Sequence, residues 1–212
     1  MSQRAKKFHR ESPDIRRETL VEAALRCLAR DGHAGLSVRR IAAEAQLSVG
    51  MINHLFTSID RLVAQAYETV ASGITDGLIA TAEEAGGSPR ERLARLIEAS
   101  FAPRIMDTGL MNVWVVFWSL IPHSADMQAV QKRTSLQYRA AFEAPLRAIA
   151  LEEKRDLDAA RIALGITTML DGLWLEFCLN PSSYRIEEGI ALCRSWLDGV
   201  LSLTPPGSAS GA

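Results

Sequence analysis

Residues 37–56 read SVRRIAAEAQLSVGMINHLF, and the reading of this stretch decides the fold. Val38, Ile41, Ala42 and Ala45 recur at i, i+3, i+4 and i+7, the spacing of one apolar helix face. Ser48 then offers an N-cap, and Ile52 and Phe56, four residues apart, share the inward side of a second short helix. A tight turn at about Ala45 to Leu47 makes the pair a helix-turn-helix, its second helix sized for the major groove. Gly50 and His54 fall on the outward side, flanked by Met51 and Asn53, a small and polar face suited to groove contact. Asn53 can offer a donor and an acceptor to a base edge, while His54 and the amides at the capped N-terminus suit phosphate. Arg39, in the first turn of the preceding helix, is the best-placed guanidinium for a guanine or a phosphate. An ordinary surface helix of a bundle would carry the same pattern, so its surroundings have to separate the two.

Charge separates them in part. The chain of 212 residues has a net charge of −1, but residues 1–70 hold 11 basic and 8 acidic groups, which leaves 13 against 17 for residues 71–212. Arg4, Lys6, Lys7, Arg10, Arg16 and Arg17 face only Glu11 and Asp14 at the very start. A basic head on an acidic body is the asymmetry of a protein whose one end meets nucleic acid.

The rest of the chain reads as helix, without an alternating strand or an internal repeat. Ser12-Pro13 starts a first helix that Gly32 and Gly35 close; Ser37, Ser48 and Ser58 cap the next three, the last running to about Glu84. Gly86-Gly87-Ser88-Pro89 interrupts, and a helix follows that Pro103 ends. Further helices are expected at about 109–121, 124–153, 156–179 and 185–203, with Pro145 kinking or dividing the second of these. The fold class is therefore all-α: about nine helices, three short ones and a long connector leading into a larger bundle. The divisions expected are a basic arm (1–13), a helix-turn-helix domain (14–74), an effector-binding and dimerisation domain (75–203) and a disordered tail (204–212).

Several classes of function find no support. Cys27, Cys178 and Cys193 are an odd count without C-x-x-C spacing, and His9, His33, His54 and His123 are scattered, so neither a disulfide scaffold nor a metal site follows. Ser, His and Asp occur in no nucleophile motif, and there is no Gly-rich phosphate loop, so neither an enzyme nor a cofactor is expected. The most apolar run, Leu110 to Ile121, is 12 residues, short of the about 20 that span a bilayer. Met1 to Arg10 lacks the apolar core of a signal peptide, and the protein is expected in the cytoplasm, away from membrane.

The order and spacing of Ile41-Ala42, Leu47-Ser48-x-Gly50, His54-x-Phe56 and Leu62 after an opening helix of about 20 residues resemble the DNA-binding domain of the TetR family, over roughly residues 14–74. That resemblance implies a dimeric repressor released from its operator by a small effector. It places Arg39, Ser48, Gly50, Met51, Asn53 and His54 at DNA-contacting positions. Three residues depart from the family pattern: Gln46 stands at the turn glycine, Leu55 at the aromatic or histidine before Phe56, and Ile59 at a phosphate-contacting lysine. Arg61 or the basic residues 4–10 are the available replacements for that lysine.

In the body, Trp114, Phe117, Trp118, Tyr138, Asp171 and Trp174 stand at helical spacings that serve equally as core or as the lining of a ligand pocket. Trp114-Val-Val-Phe-Trp118, then His123 and Met127, with Asp171-Gly-Leu-Trp174-Leu, resemble the body of BetI-type regulators over roughly residues 110–180. The resemblance implies control of choline-to-glycine-betaine genes and relief by choline. Aromatic faces and a carboxylate are compatible with a quaternary ammonium, and a neutral lipophilic or aromatic metabolite would use the same aromatics. Ile186, Ile190, Cys193, Leu197 and Leu201, with Leu170, Leu173 and Phe177, are the expected homodimer face. A two-fold dimer reads a pseudo-palindromic operator on double-stranded DNA.

Overall fold

The computed structural model describes residues 12–84 and 86–203, so most of the arm (residues 1–11) and the tail (204–212) lie outside it. The described residues form nine α-helices and no strand: α1 Pro13–Asp31, α2 Val38–Glu44, α3 Val49–Phe56, α4 Ile59–Glu84, α5 Pro89–Ser100, α6 Thr108–Leu120, α7 Ala125–Glu152, α8 Ala159–Leu179 and α9 Ile186–Leu203. Two short 3₁₀ turns, Gly32–Gly35 and Ile121–His123, follow α1 and α6.

Local chemistry sets most of these ends. The Ser12 hydroxyl accepts from the Ile15 amide, with Pro13 at the first helical position. Ser58 accepts from Arg61 N, and Ser88 and Glu91 form a reciprocal capping box that starts α5. Ser37 and Ser48 occupy N-cap positions as expected, but their side chains make no capping hydrogen bond. Pro145 neither divides nor ends a helix: it is buried inside α7, where the packed core holds the helix together across the lost hydrogen bond.

The turn between α2 and α3 is made by Gln46 at φ 55°, in the left-handed region. Leu47 N donates to Ala42 O at 2.9 Å and Gln46 N to Ala43 O at 3.1 Å, the paired bonds of a Schellman end. Gln46 thus takes the role glycine fills at lower conformational cost. At the end of α1, Gly35 packs so tightly that an added Cβ would lie 2.3 Å from Cys27 O.

Two apolar clusters hold the molecule. The first joins α1 to α4 and includes Leu20, Leu28, Ile41, Ile52, Phe56 and Tyr67, together with Val113, Val116 and Phe117 of α6 and Met127 and Val130 of α7. The second lies within the body, with Phe142, Leu146, Ile166, Leu170, Trp174, Cys193, Leu197 and Leu201. Trp114 packs against both.

Two expectations change here. Leu170, Cys193, Leu197 and Leu201 are internal core, and Leu173, Phe177, Ile186 and Ile190 pack against it, so this is not a free dimer face. The outward sides of α8 and α9 carry Leu164, Leu179, Leu192 and Leu203 among charged residues such as Arg161, Glu176, Glu187, Arg194 and Asp198. Helix α8, at 21 residues with a window of mean hydropathy 1.5, also reaches spanning length, which a search for unbroken apolar runs overlooks. One side of it is buried, with Ile162, Ala163, Ile166, Thr167, Leu170 and Trp174.

Candidate functional site

The head presents the surface expected of a reading helix. On α3, Ile52, Leu55 and Phe56 are buried, while Ser48 at the N-cap, Gly50, Asn53 and His54 are exposed. Met51 is half-buried against the first cluster, so only part of its side chain faces outward. Arg39 is exposed on α2 and makes no ion pair among the described residues, whereas the neighbouring Arg40 is held by Asp31 at 3.1 Å. Glu44 accepts from Arg26 at 2.9 Å and from Arg30 at 3.1 Å, pinning α2 to α1. Those two guanidinium hydrogen bonds hold the Glu44 carboxyl below its ordinary range. Leu55, at the position of the family's aromatic, serves as core. Arg61 reaches Asp126 of α7 at 3.5 Å, a contact that ties it to the body.

The second site is a partly open cavity of ≈ 140 Å³ lined by α4, α6, α7 and α8 with the end of α5, well above the roughly 30 Å³ of a single water. Trp114, Trp118, Tyr138, Asp171 and Trp174 line it, as the sequence suggested. The three indoles form a mutual cluster: Trp114–Trp118 centroids are 6.2 Å apart, Trp118–Trp174 6.1 Å and Trp114–Trp174 6.5 Å, the last two edge to face. Trp174 is fixed by its Nε1–H, which donates to Ile105 O at 2.6 Å. The N-terminus of α6 is set by Asp107, whose carboxylate accepts from Leu110 N at 2.9 Å.

Phe117 does not line the cavity. It is fully buried in the first cluster, 4.8 Å from the Tyr67 ring and 28° from parallel to it. One turn away from Trp114, it faces the head rather than the cavity. Its neighbour Tyr67 does line the cavity, and so do Thr75 and Leu78 further along α4. Sequence reading passed over these because a single Tyr in an apolar helix looks like core. Ser100, Gln131, Thr134 and Ser135 add polar lining. The signal for them was weak, since each stands alone in its helix.

Asp171 is the one carboxylate of the lining. It is exposed on its outer side and makes no ion pair among the described residues; desolvation by the surrounding protein pushes its carboxyl up to about 6, with the Arg139 charge pulling the other way. Burial raises the phenol of Tyr67 to about 12 against a hydrogen bond with Thr134, and burial likewise raises that of Tyr138. Both phenols are therefore neutral hydroxyls near neutral pH. The cavity offers aromatic faces, hydroxyl groups and one anion, a set that suits a small organic cation with a polar end.

Comparison with known proteins follows this division. Residues 20–66 match a family model described as bacterial regulatory proteins, tetR family. Residues 89–202 match one described as BetI-type transcriptional repressor, C-terminal. Among curated relatives, the HTH-type transcriptional regulator BetI 1 of Chromohalobacter salexigens is 28% identical over 196 residues, covering 89% of this chain and 91% of that protein. A crystal structure of a candidate transcriptional regulator from Pseudomonas aeruginosa PAO1 is 38% identical, with a TM-score of 0.84, covering 93% of this chain and 95% of the other. A Saccharomonospora viridis structure shares the fold at a TM-score of 0.74 and 19% identity, covering 87% and 96%.

Proposed function

This chain belongs to the TetR family of bacterial transcriptional regulators, with a C-terminal domain of the BetI type, and from that premise we propose that it is a dimeric repressor released from its operator by a small quaternary ammonium such as choline. The observation that carries the effector is the three-tryptophan wall with an unpaired carboxylate beside it. A cation over aromatic faces gains on the order of 1–2 kcal/mol, more at the buried Trp174 than at the exposed Trp118, and Asp171 balances its charge. The Saccharomonospora viridis regulator of similar fold was solved in complex with choline.

At the DNA end, Asn53 and Arg39 contact base edges, while Ser48, Gly50, Met51 and His54 fit the helix to the groove and its phosphates. The outward side of α8 and α9, where Leu164, Leu192 and Leu203 stand exposed among charged residues, meets a second copy, which sets two recognition helices at the spacing of a pseudo-palindrome. The protein acts in the cytoplasm, where its operator is. DNA and effector weaken each other's binding equally, as linkage requires.

The test is retardation of DNA from upstream of the protein's own gene, at several salt concentrations, with and without choline. Retardation that choline reverses supports the reading. Retardation reversed by neutral aromatic compounds and not by choline would keep the repressor and replace the ligand. No salt-dependent retardation would sink the repressor itself.

A further inference from the structure

The buried polar groups of the cavity have their protons already placed. Thr75, Ser100 and Thr134 are buried, and each hydroxyl donates to a carbonyl one turn back in its own helix. Thr75 reaches Ala71 O at 3.0 Å, Ser100 reaches Leu96 O at 2.7 Å and Thr134 reaches Val130 O at 2.9 Å. A hydroxyl has one proton and a carbonyl can only accept, so these three oxygens are left to the cavity as acceptors. Tyr67 is hydrogen-bonded to Thr134, and Tyr138 to Ser100. Neither partner has a proton left to give, so each phenol donates and its own oxygen becomes an acceptor too. The Trp174 Nε1–H is committed to Ile105 O. Gln131 donates to Ser135 Oγ at 2.8 Å. The donors that remain, the indoles of Trp114 and Trp118, the Ser135 hydroxyl and the second amide hydrogen of Gln131, belong to half-buried or exposed residues. No cationic side chain lines the cavity among the described residues; Arg139 acts on Asp171 from outside the lining.

We propose that these groups form an acceptor-only surface that selects effectors by the direction of their hydrogen bond: a small quaternary ammonium ending in a hydroxyl is admitted, and one ending in a carboxylate or another acceptor is refused. Thr134 and Ser100 are the positioning residues, because each holds a phenol proton away from the ligand. The inference rests on the effector reading above and deepens it. A hydroxyl end donates to a phenol oxygen. A carboxylate end there meets lone pairs without a proton, after losing the water that hydrated it.

Tryptophan emission and calorimetry measure affinity for three molecules with one headgroup: choline, its analogue with fluorine in place of the hydroxyl, and glycine betaine, which ends in a carboxylate. The wild-type protein should bind choline about tenfold or more tighter than either of the others, the cost of leaving buried acceptors unpaired. Thr134→Val keeps the shape and frees the Tyr67 proton. Ser100→Ala frees that of Tyr138 and serves if the first variant does not fold, as judged by circular dichroism. Either change should narrow the preference for choline over glycine betaine by about fivefold or more. General damage to the cavity would weaken both ligands and leave their ratio alone. Tyr67→Phe removes an acceptor without freeing a proton, so it should weaken choline and give glycine betaine no gain. Glycine betaine bound by the wild-type protein as tightly as choline overturns the proposal, and so does a preference unchanged in the folded variants. A protein that binds none of the three sinks the cationic effector itself and this inference with it, a result distinct from a missing preference.

Discussion

Tyr67 of α4 stacks on Phe117 of α6 with ring centroids 4.8 Å apart, and the Tyr67 ring also forms part of the cavity wall. One residue thus belongs both to the core of the head and to the lining of the ligand site. Trp114 meets Tyr67 edge to face at 5.2 Å, closing a triangle of rings of which two corners line the cavity.

Removing the third corner tests its weight. Phe117→Ala should cost about 3–5 kcal/mol of stability, as expected for a fully buried aromatic. Urea unfolding followed by circular dichroism measures it. A loss below about 1 kcal/mol would mean that the cluster relaxes around the gap.

Asp171 gives the ligand site a pH dependence. Its carboxyl titrates at about 6, chiefly through desolvation, against about 3.9 in an unfolded chain. Between those values the native state holds a proton that the unfolded chain has released. The group's contribution to stability is therefore complete below about pH 4 and is lost as pH rises through about 6. Choline binding runs the other way, because it needs the carboxylate. Its affinity, followed by tryptophan emission, should climb between about pH 5 and 7 and then level off. Asp171→Asn should weaken binding and flatten that profile; an unchanged slope would assign the titration to another group.

Base reading and phosphate binding separate by competition. Arg39→Ala and Asn53→Ala should each cost about 1–3 kcal/mol on the operator if they contact base edges. Equal losses on random duplex would make either one a backbone contact.

Gln46 holds a left-handed conformation at φ 55° in the turn of the helix-turn-helix. A side chain there costs on the order of 1–2 kcal/mol. Gln46→Gly should recover about 1 kcal/mol of it, and raise Tm by roughly 2–4 °C in a chain of this size. A melting scan in which Tm falls would show that Gln46 makes a compensating interaction.

The outward faces of α8 and α9 give the last prediction. Leu164→Glu with Leu192→Glu, both on exposed positions, should yield a folded monomer by sedimentation. A dimer that persists through both changes would place the interface elsewhere.

Much of this architecture is legible in the sequence because helix ends are written locally. Ser12-Pro13, the box of Ser88 and Glu91, and Asn180-Pro181 mark boundaries within a few residues. The inward and outward sides of α3 are equally plain, since it has one apolar side and one polar side. Legibility fails where a helix is apolar all round. Periodicity cannot say which aromatic of α6 meets the ligand and which meets the head, so Phe117 was expected beside Trp114 and Trp118. On α9 the apolar stripe with Cys193 and Leu197 is plain, but periodicity does not say whether such a stripe packs within the chain or against a second copy. Tyr67 escapes because its role depends on a cavity assembled from helices distant in sequence.

The sharing of side chains between head and body also limits how such a regulator can be taken apart. Val113, Val116, Phe117, Met127 and Val130 complete the apolar interior of the N-terminal helices. A fragment ending after α4 would leave that interior open to water. Head and body are thus not freely interchangeable parts. Any chimera that transplants this DNA specificity onto another sensor would have to bring α6 and the start of α7 with it, and those segments carry the walls of the ligand site.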